Sequence, residues 1–144
     1  MATRPARNGR PLPESTPLSD LTPYDALGGE ATIRRLVTRF YALMDELPEA
    51  RATRAIHPAD LSGSTEKLFE YLTGWLGGPP LYTDKYGHPR LRQRHLHAAI
   101  SSDEIEGWLA CFRRAWGETV EDRRYDALIL PKVEGLAQHM RNRE

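Results

Sequence analysis

The segment Tyr86-Gly-His-Pro-Arg-Leu-Arg-Gln-Arg-His95 combines a glycine, a proline and two of the chain's five histidines. Its Gly and Pro favour irregular backbone, and we expect a loop over 81–88 followed by a short helix from Pro89 to about His97. Histidine is a common ligand of zinc and of haem iron. A zinc site needs three or four ligands, and His88, His95 and His97 lack a standard zinc spacing. By itself, the segment leaves its histidines without an assigned role.

On both sides of this segment, apolar residues recur at helical spacing, and no segment alternates as a strand does. We therefore predict an all-α protein with four substantial helices, at about 30–47, 62–76, from Ser101 onward, and 122–141. Ser101 and Glu104 form a predicted capping box, and Pro131 should kink or split the last helix. The apolar positions are Ile33, Leu36, Val37, Phe40, Met44, Leu47, Leu68, Phe69, Leu72, Trp75, Leu76, Ile105, Trp108, Leu109, Phe112, Trp116, Tyr125, Leu128, Ile129, Val133, Leu136 and Met140.

Proline and glycine mark the boundaries of shorter elements. Thr22 can cap a short helix that has Pro23 at its first position, and Gly28-Gly29 ends it. Pro48 begins a short helical segment that must end before Pro58. The run Gly77-Gly78-Pro79-Pro80 stops the helix over 62–76.

Composition predicts one domain, at 21–144, behind a disordered tail at 1–20 that is rich in Pro and Arg. The 144 residues carry 20 basic and 20 acidic side chains, so the charge gives no reason to expect nucleic acid or a membrane as partner. No apolar run is long enough to cross a bilayer, no secretory signal is present, and we expect a cytoplasmic protein. Cys111 is the only cysteine and falls in an apolar pattern typical of a buried thiol.

Most catalytic motifs are absent, including a P-loop, G-x-G-x-x-G, H-E-x-x-H and C-x-x-C. Several features in a fixed order nevertheless resemble the group II truncated globins over about residues 22–141. They are Gly28-Gly29, Arg39-Phe40-Tyr41, Gly77-Gly78-Pro79, the segment from Gly87 to His95 with Ile100, and Trp108-Leu109 with Cys111, where Trp108 lies thirteen residues after His95.

This resemblance implies a truncated globin-like sandwich of helices, two over two, around a haem b. In the family pattern His95 matches the proximal iron ligand, and Tyr41 and Trp108 match two distal residues that stabilise the ligand, with His57 as a third. Phe40, Ser64 and Leu68 match positions that line the distal pocket. Lys67 matches a residue that reaches a haem propionate, and Tyr82, His88 and Arg92 are further candidates for that contact.

The residue types suit this chemistry. A histidine on one side of the iron leaves the sixth position free for a gas, and its second ring nitrogen should donate to a backbone carbonyl. Hydroxyl, indole and imidazole groups can all donate to dioxygen, which becomes partly negative when bound. Three such donors predict slow dioxygen release, which suits ligand retention or redox chemistry better than delivery.

The resemblance implies a protein that binds dioxygen, carbon monoxide, nitric oxide or similar ligands. Nitric oxide dioxygenase or peroxidase-like activity would need an external reductant, hence a separate reductase. The alternatives are a haem-based gas or redox sensor that acts through a partner protein, and a helical interaction module without haem. A homodimer is a further expectation for assembly.

The chain departs from the family pattern after His95. The family commonly has Pro and then Phe there, whereas this chain has Leu96-His97-Ala98-Ala99-Ile100. The missing aromatic should leave space beneath the haem or shift the helix. His97 could compete for the iron, but the Arg-x-Arg-His pattern and the spacing to Trp108 favour His95.

Overall fold

The computed structural model describes residues 22–143, and the predicted tail at 1–20 lies outside that range. The described chain contains helices and no strand, which confirms the all-α prediction. The helices are α1 (Pro23–Ala26), α2 (Glu30–Glu46), α3 (Arg51–Ala55), α4 (Ser62–Trp75), α5 (Leu81–Tyr86), α6 (Leu91–His95), α7 (Ser102–Thr119) and α8 (Asp126–His139), with 3₁₀ turns at Pro48–Ala50 and Arg123–Tyr125. None of these helices is long and apolar enough to cross a membrane.

The four long helices form two packed pairs. Helix α2 packs on α4 and on α7, and α7 in turn packs on α8, so the α2–α4 pair lies over the α7–α8 pair. Aromatic rings occupy the centre of this sandwich. The Phe40 ring lies 4.9 Å from Trp108, and Trp108 stacks on Phe112 at 5.4 Å with the ring planes 7° apart. Because these rings come from the predicted apolar stripes of α2 and α7, helical periodicity accounts for the core.

The predicted boundaries hold where local chemistry sets them. The Thr22 hydroxyl caps α1 by accepting from the Asp25 amide. The Glu104 carboxylate accepts from the Ser101 amide at 2.8 Å, as expected of a capping box at the start of α7. Gly28 and Gly29 both have positive φ angles, 113° and 71°, in the turn between α1 and α2. Such angles favour glycine, and the turn that they form separates α1 from α2.

Three predictions of secondary structure differ from the structure. Residues 81–86 form helix α5 instead of a loop. Its Tyr82 ring packs at 4.8 Å on Tyr86 one turn later and at 6.0 Å on Tyr71 of α4. This aromatic packing favours the helix despite the preceding prolines, and Gly87, with a φ of 80°, ends it.

The last predicted helix divides at a different place from the one expected. A 3₁₀ turn ends at Tyr125, and α8 then runs through Pro131 without a break. A proline removes the hydrogen bond to the carbonyl four residues earlier, which here belongs to Ala127. Both Ala127 and Pro131 are exposed, so water can satisfy that carbonyl.

The predicted helix over Pro89–His97 is also shorter, because Arg90 adopts a left-handed conformation (φ 45°) and α6 begins only at Leu91.

Candidate functional site

His95 is the last residue of α6, and its ring is oriented by its own helix. Its Nδ1 lies 2.7 Å from the Leu91 carbonyl oxygen. A carbonyl can only accept, so Nδ1 carries the proton and Nε2 presents its lone pair. A metal-binding histidine is held in this way, with one nitrogen fixed by the backbone and the other directed at the metal.

His97 lies beyond the end of α6 and is exposed, and no hydrogen bond within the described residues holds its ring. In residues 22–143, no three His, Cys, Asp or Glu side chains come together as a metal-ion site. The three histidines at 88, 95 and 97 therefore do not form a zinc-type centre.

A second group of predicted site residues meets between α2, α7 and the segment after α3. The Tyr41 ring packs at 4.8 Å on Phe40 and lies 5.9 Å from the His57 ring. Trp108 reaches the same group through Phe40. We call Phe40, Tyr41, His57 and Trp108 the distal cluster, in which the structure brings together residues from three separate parts of the sequence.

Tyr41 is buried, with 8% of its surface exposed. Burial raises the pKa of its phenol well above the ordinary value, so the hydroxyl keeps its proton at any physiological pH. Trp108 is half-buried, and its indole N–H can only donate. The cluster thus contains two side chains that remain hydrogen-bond donors.

The hydrogen bonding of the His57 ring differs from that expected of a third donor. Its Nδ1 lies 2.8 Å from the Thr53 carbonyl oxygen, and therefore carries the proton. Burial lowers the pKa of His57, an effect that the bond to Thr53 opposes and that the charges of Arg54 and His95 reinforce. The ring is then neutral at pH 7, and its Nε2 is an acceptor.

Thr53 connects His57 to α7. Its hydroxyl donates to the Glu104 carbonyl at 2.7 Å, while its own carbonyl holds His57. This contact requires Gly107, because a Cβ atom there would collide with the Thr53 hydroxyl and lie 2.8 Å from the Glu49 carbonyl oxygen. A glycine of α7 thus allows the close approach that positions His57.

The predicted residues of α4 share one face of that helix. Ser64, Lys67 and Leu68 lie three and four positions apart, which places them side by side. Ser64 and Leu68 are half-buried, whereas Lys67 is exposed with its Nζ 5.8 Å from the centre of the Tyr86 ring. Tyr71 continues this face by one turn, and the sequence analysis missed it although the spacing could have indicated it.

A cavity of about 460 Å³ opens beside α6, between α4 and α8. Its apolar part includes Tyr71, Leu91, Leu136 and Met140, and its polar part includes His88, Arg90, Arg92 and His139. The predicted residues His88 and Arg92 thus border a common space, together with Arg90 and His139, which were not predicted as site residues. His95, Lys67 and Tyr82 do not line it, and the Tyr82 ring is buried against Tyr71.

These features fit a haem. The macrocycle is a large apolar plate with two carboxylates; the cavity offers apolar walls and the guanidinium groups of Arg90 and Arg92, although neither His95 nor the distal cluster lines it. His95, in the same helix as Leu91, presents the neutral nitrogen that haem iron requires. Covalent attachment through thioethers is not supported, because the only cysteine, Cys111, is fully buried in the core, where burial raises its pKa to about 11.

Comparison with known proteins gives one consistent answer. Residues 22–142 match the family model for bacterial-like globins. The group 2 truncated hemoglobin YjbI of Bacillus subtilis is 36% identical over 120 residues, which cover 83% of this chain and 88% of that protein.

Solved structures agree with this match. The group II 2-on-2 hemoglobin of Agrobacterium tumefaciens superposes with a TM-score of 0.85 at 57% identity, over 86% of this chain and 96% of that one. The truncated oxygen-avid haemoglobin of Bacillus subtilis superposes with a TM-score of 0.74 at 36% identity, over 85% of this chain and all (100%) of that one.

Proposed function

The chain belongs to the bacterial-like globin family, and from that premise we propose that His95 is the iron ligand of a haem b. As a truncated globin it is a haem protein that binds dioxygen and other diatomic ligands. A bound haem would supply the iron that binds the gas. The observation that supports His95 is the hydrogen bond from its Nδ1 to the Leu91 carbonyl, because this bond leaves Nε2 as the ligating atom.

The distal cluster supplies the groups that hold the gas. We assign the Tyr41 hydroxyl and the Trp108 indole N–H as its donors, since neither group loses its proton near neutral pH. A hydrogen bond in a site shielded from water contributes roughly 1–3 kcal/mol, and every 1.4 kcal/mol changes an equilibrium constant about tenfold. Two donors therefore contribute about 2–6 kcal/mol together, which slows the escape of the ligand at least about thirtyfold.

His57 has a different role in this proposal. Its neutral Nε2 can accept a hydrogen bond but cannot donate one, and its ring lies 5.9 Å from the Tyr41 ring. The single O–H hydrogen of Tyr41 is assigned to the ligand, so we assign His57 as the ring that packs beside Tyr41, while Phe40, Ser64 and Leu68 line the pocket. This assignment replaces the three-donor expectation with two donors and one acceptor.

Lys67, Tyr82, His88 and Arg92 remain our candidates for the haem carboxylates. His88 and Arg92 have the stronger support, because both border the cavity beside α6. Slow release favours retention of the ligand or redox use over delivery. Turnover of nitric oxide or peroxide would draw electrons from a separate reductase.

The rate of dioxygen dissociation tests this assignment. We expect Tyr41→Phe and Trp108→Phe each to raise the rate about tenfold or more, because each variant removes one donor and keeps a similar ring. Phe69→Leu, which alters a buried ring of α4 outside the cluster, is the matched control and should change the rate little. Rapid release from the unmodified protein that neither donor variant alters would contradict the proposal.

A further inference from the structure

The residues that follow α8 lie against the connection between α6 and α7. The backbone amides of Asn142 and Arg143 both donate to the Ile100 carbonyl oxygen, at 2.9 Å and 3.0 Å. Nearby, the Arg92 guanidinium donates to the Arg141 carbonyl at 3.4 Å. The segment 141–143 is therefore attached to Ile100 by two backbone hydrogen bonds and to α6 by the Arg92 side chain.

The Asn142 side chain completes this attachment. Its Oδ1 accepts from the Ile100 amide at 2.8 Å, and its Nδ2 donates to the Ala98 carbonyl at 2.9 Å and to the His95 carbonyl at 3.4 Å. An amide has one acceptor oxygen and two donor hydrogens, and all three are used here. We call these contacts of Asn142 the Asn142 clasp.

Helix α6 is held by polar contacts and not by a buried face, since the Arg92 and Arg94 side chains donate to the carbonyls of Arg141, Pro89 and Tyr86. It contains five residues and buries none of them. The residue after it with a firm place in the core is Ile100, which is 5% exposed and joins the main hydrophobic cluster. The clasp connects this anchored residue to the carbonyl of His95, at the end of the helix that carries the iron ligand.

We propose that Asn142 is a positioning residue for His95. It fixes the last turn of α6 to the core through Ile100 and so sets the orientation of the imidazole towards the iron. This role rests on the proposed function of His95 as the haem ligand. It also provides contacts to the segment after α6, where this chain has Leu96-His97-Ala98-Ala99 and the family commonly has Pro and Phe.

The first test measures amide hydrogen exchange at Ile100 in the full chain. Asn142→Ala removes the acceptor of that amide, so exchange at Ile100 should become about tenfold faster, while amides in the middle of α7 keep their rates. Gln138→Ala, which removes an exposed amide side chain of α8, is the matched control. Unchanged exchange at Ile100 would overturn the proposal, whether or not the chain carries haem.

The second test measures the iron–histidine stretching band of the ferrous protein by resonance Raman spectroscopy. Asn142→Ala should shift and broaden this band, because the imidazole is no longer held in one orientation. Ile129→Val is the control, because it removes part of a buried side chain of α8 that takes no part in the clasp. It should lower the stability and leave the band unchanged. An unchanged band in Asn142→Ala would overturn the positioning role. A preparation with no haem band at all would instead contradict the proposed function, and exchange at Ile100 would still decide whether the clasp exists.

Discussion

The distal cluster and the proximal helix α6 are held in place by different kinds of interaction. Phe40, Tyr41 and Trp108 belong to long helices whose apolar faces form the core, so packing determines where they lie. His95 sits on a five-residue helix that buries no side chain, and hydrogen bonds to backbone carbonyls determine its position. The two sides of one candidate haem site therefore differ in how much of their geometry the hydrophobic pattern specifies.

Gly107→Ala tests the packing beside the distal cluster, and we expect it to have the largest effect on stability. A Cβ atom there collides with the Thr53 hydroxyl and with the backbone of the 3₁₀ turn at Pro48–Ala50, which cannot move freely. We expect a loss of about 1–3 kcal/mol in the free energy of unfolding, as is typical of overpacking. Urea titration measures it.

Gly117→Ala is the matched control in the same helix. Nothing lies within 4 Å of a Cβ atom at this exposed position. Alanine should stabilise α7 there by up to about 1 kcal/mol, because it has the higher helix propensity. If the two variants change the stability equally, the close contact between α3 and α7 does not position His57.

A smaller effect should appear in the pH dependence of stability. The pKa of His57 is lower in the folded protein than in the unfolded chain. Below about pH 6.5 the unfolded ring therefore binds a proton while the folded ring stays neutral. The contribution of His57 is thus present above that pH and is lost as the pH falls towards the folded pKa. In His57→Gln, the free energy of unfolding should fall less steeply as the pH is lowered.

Thermal unfolding of both proteins between about pH 7.5 and pH 5 measures this difference. A variant whose stability declines as steeply as that of the wild type would show that His57 is not held as a buried neutral ring.

The sequence predicted the distal side better than the proximal side, for a physical reason. Helical periodicity placed Phe40 and Trp108 on inward faces, and the family resemblance singled out Tyr41 and His57 beside them. The proximal side depends on contacts that no pattern in the sequence reveals. The clasp joins Asn142 to residues more than forty positions earlier. Helix α5 likewise depends on packing of Tyr82 against Tyr71 from another helix.

The tautomer of His57 likewise could not be predicted from the sequence. Nothing in Ile56-His57-Pro58 indicates which nitrogen carries the proton, and only the carbonyl of Thr53 in α3 decides it. Residue type alone predicted a donor, whereas the neighbouring backbone makes the exposed nitrogen of the ring an acceptor.

The central claim is that His95 holds the haem iron. The absorption spectrum of the purified protein and of two variants tests it most directly. We predict a Soret band in the wild type and in His97→Ala, and its loss or a marked change in His95→Ala, because the His95 ring, unlike that of His97, is held by a backbone hydrogen bond that leaves Nε2 as the ligating atom. A normal five-coordinate spectrum in His95→Ala would contradict the account.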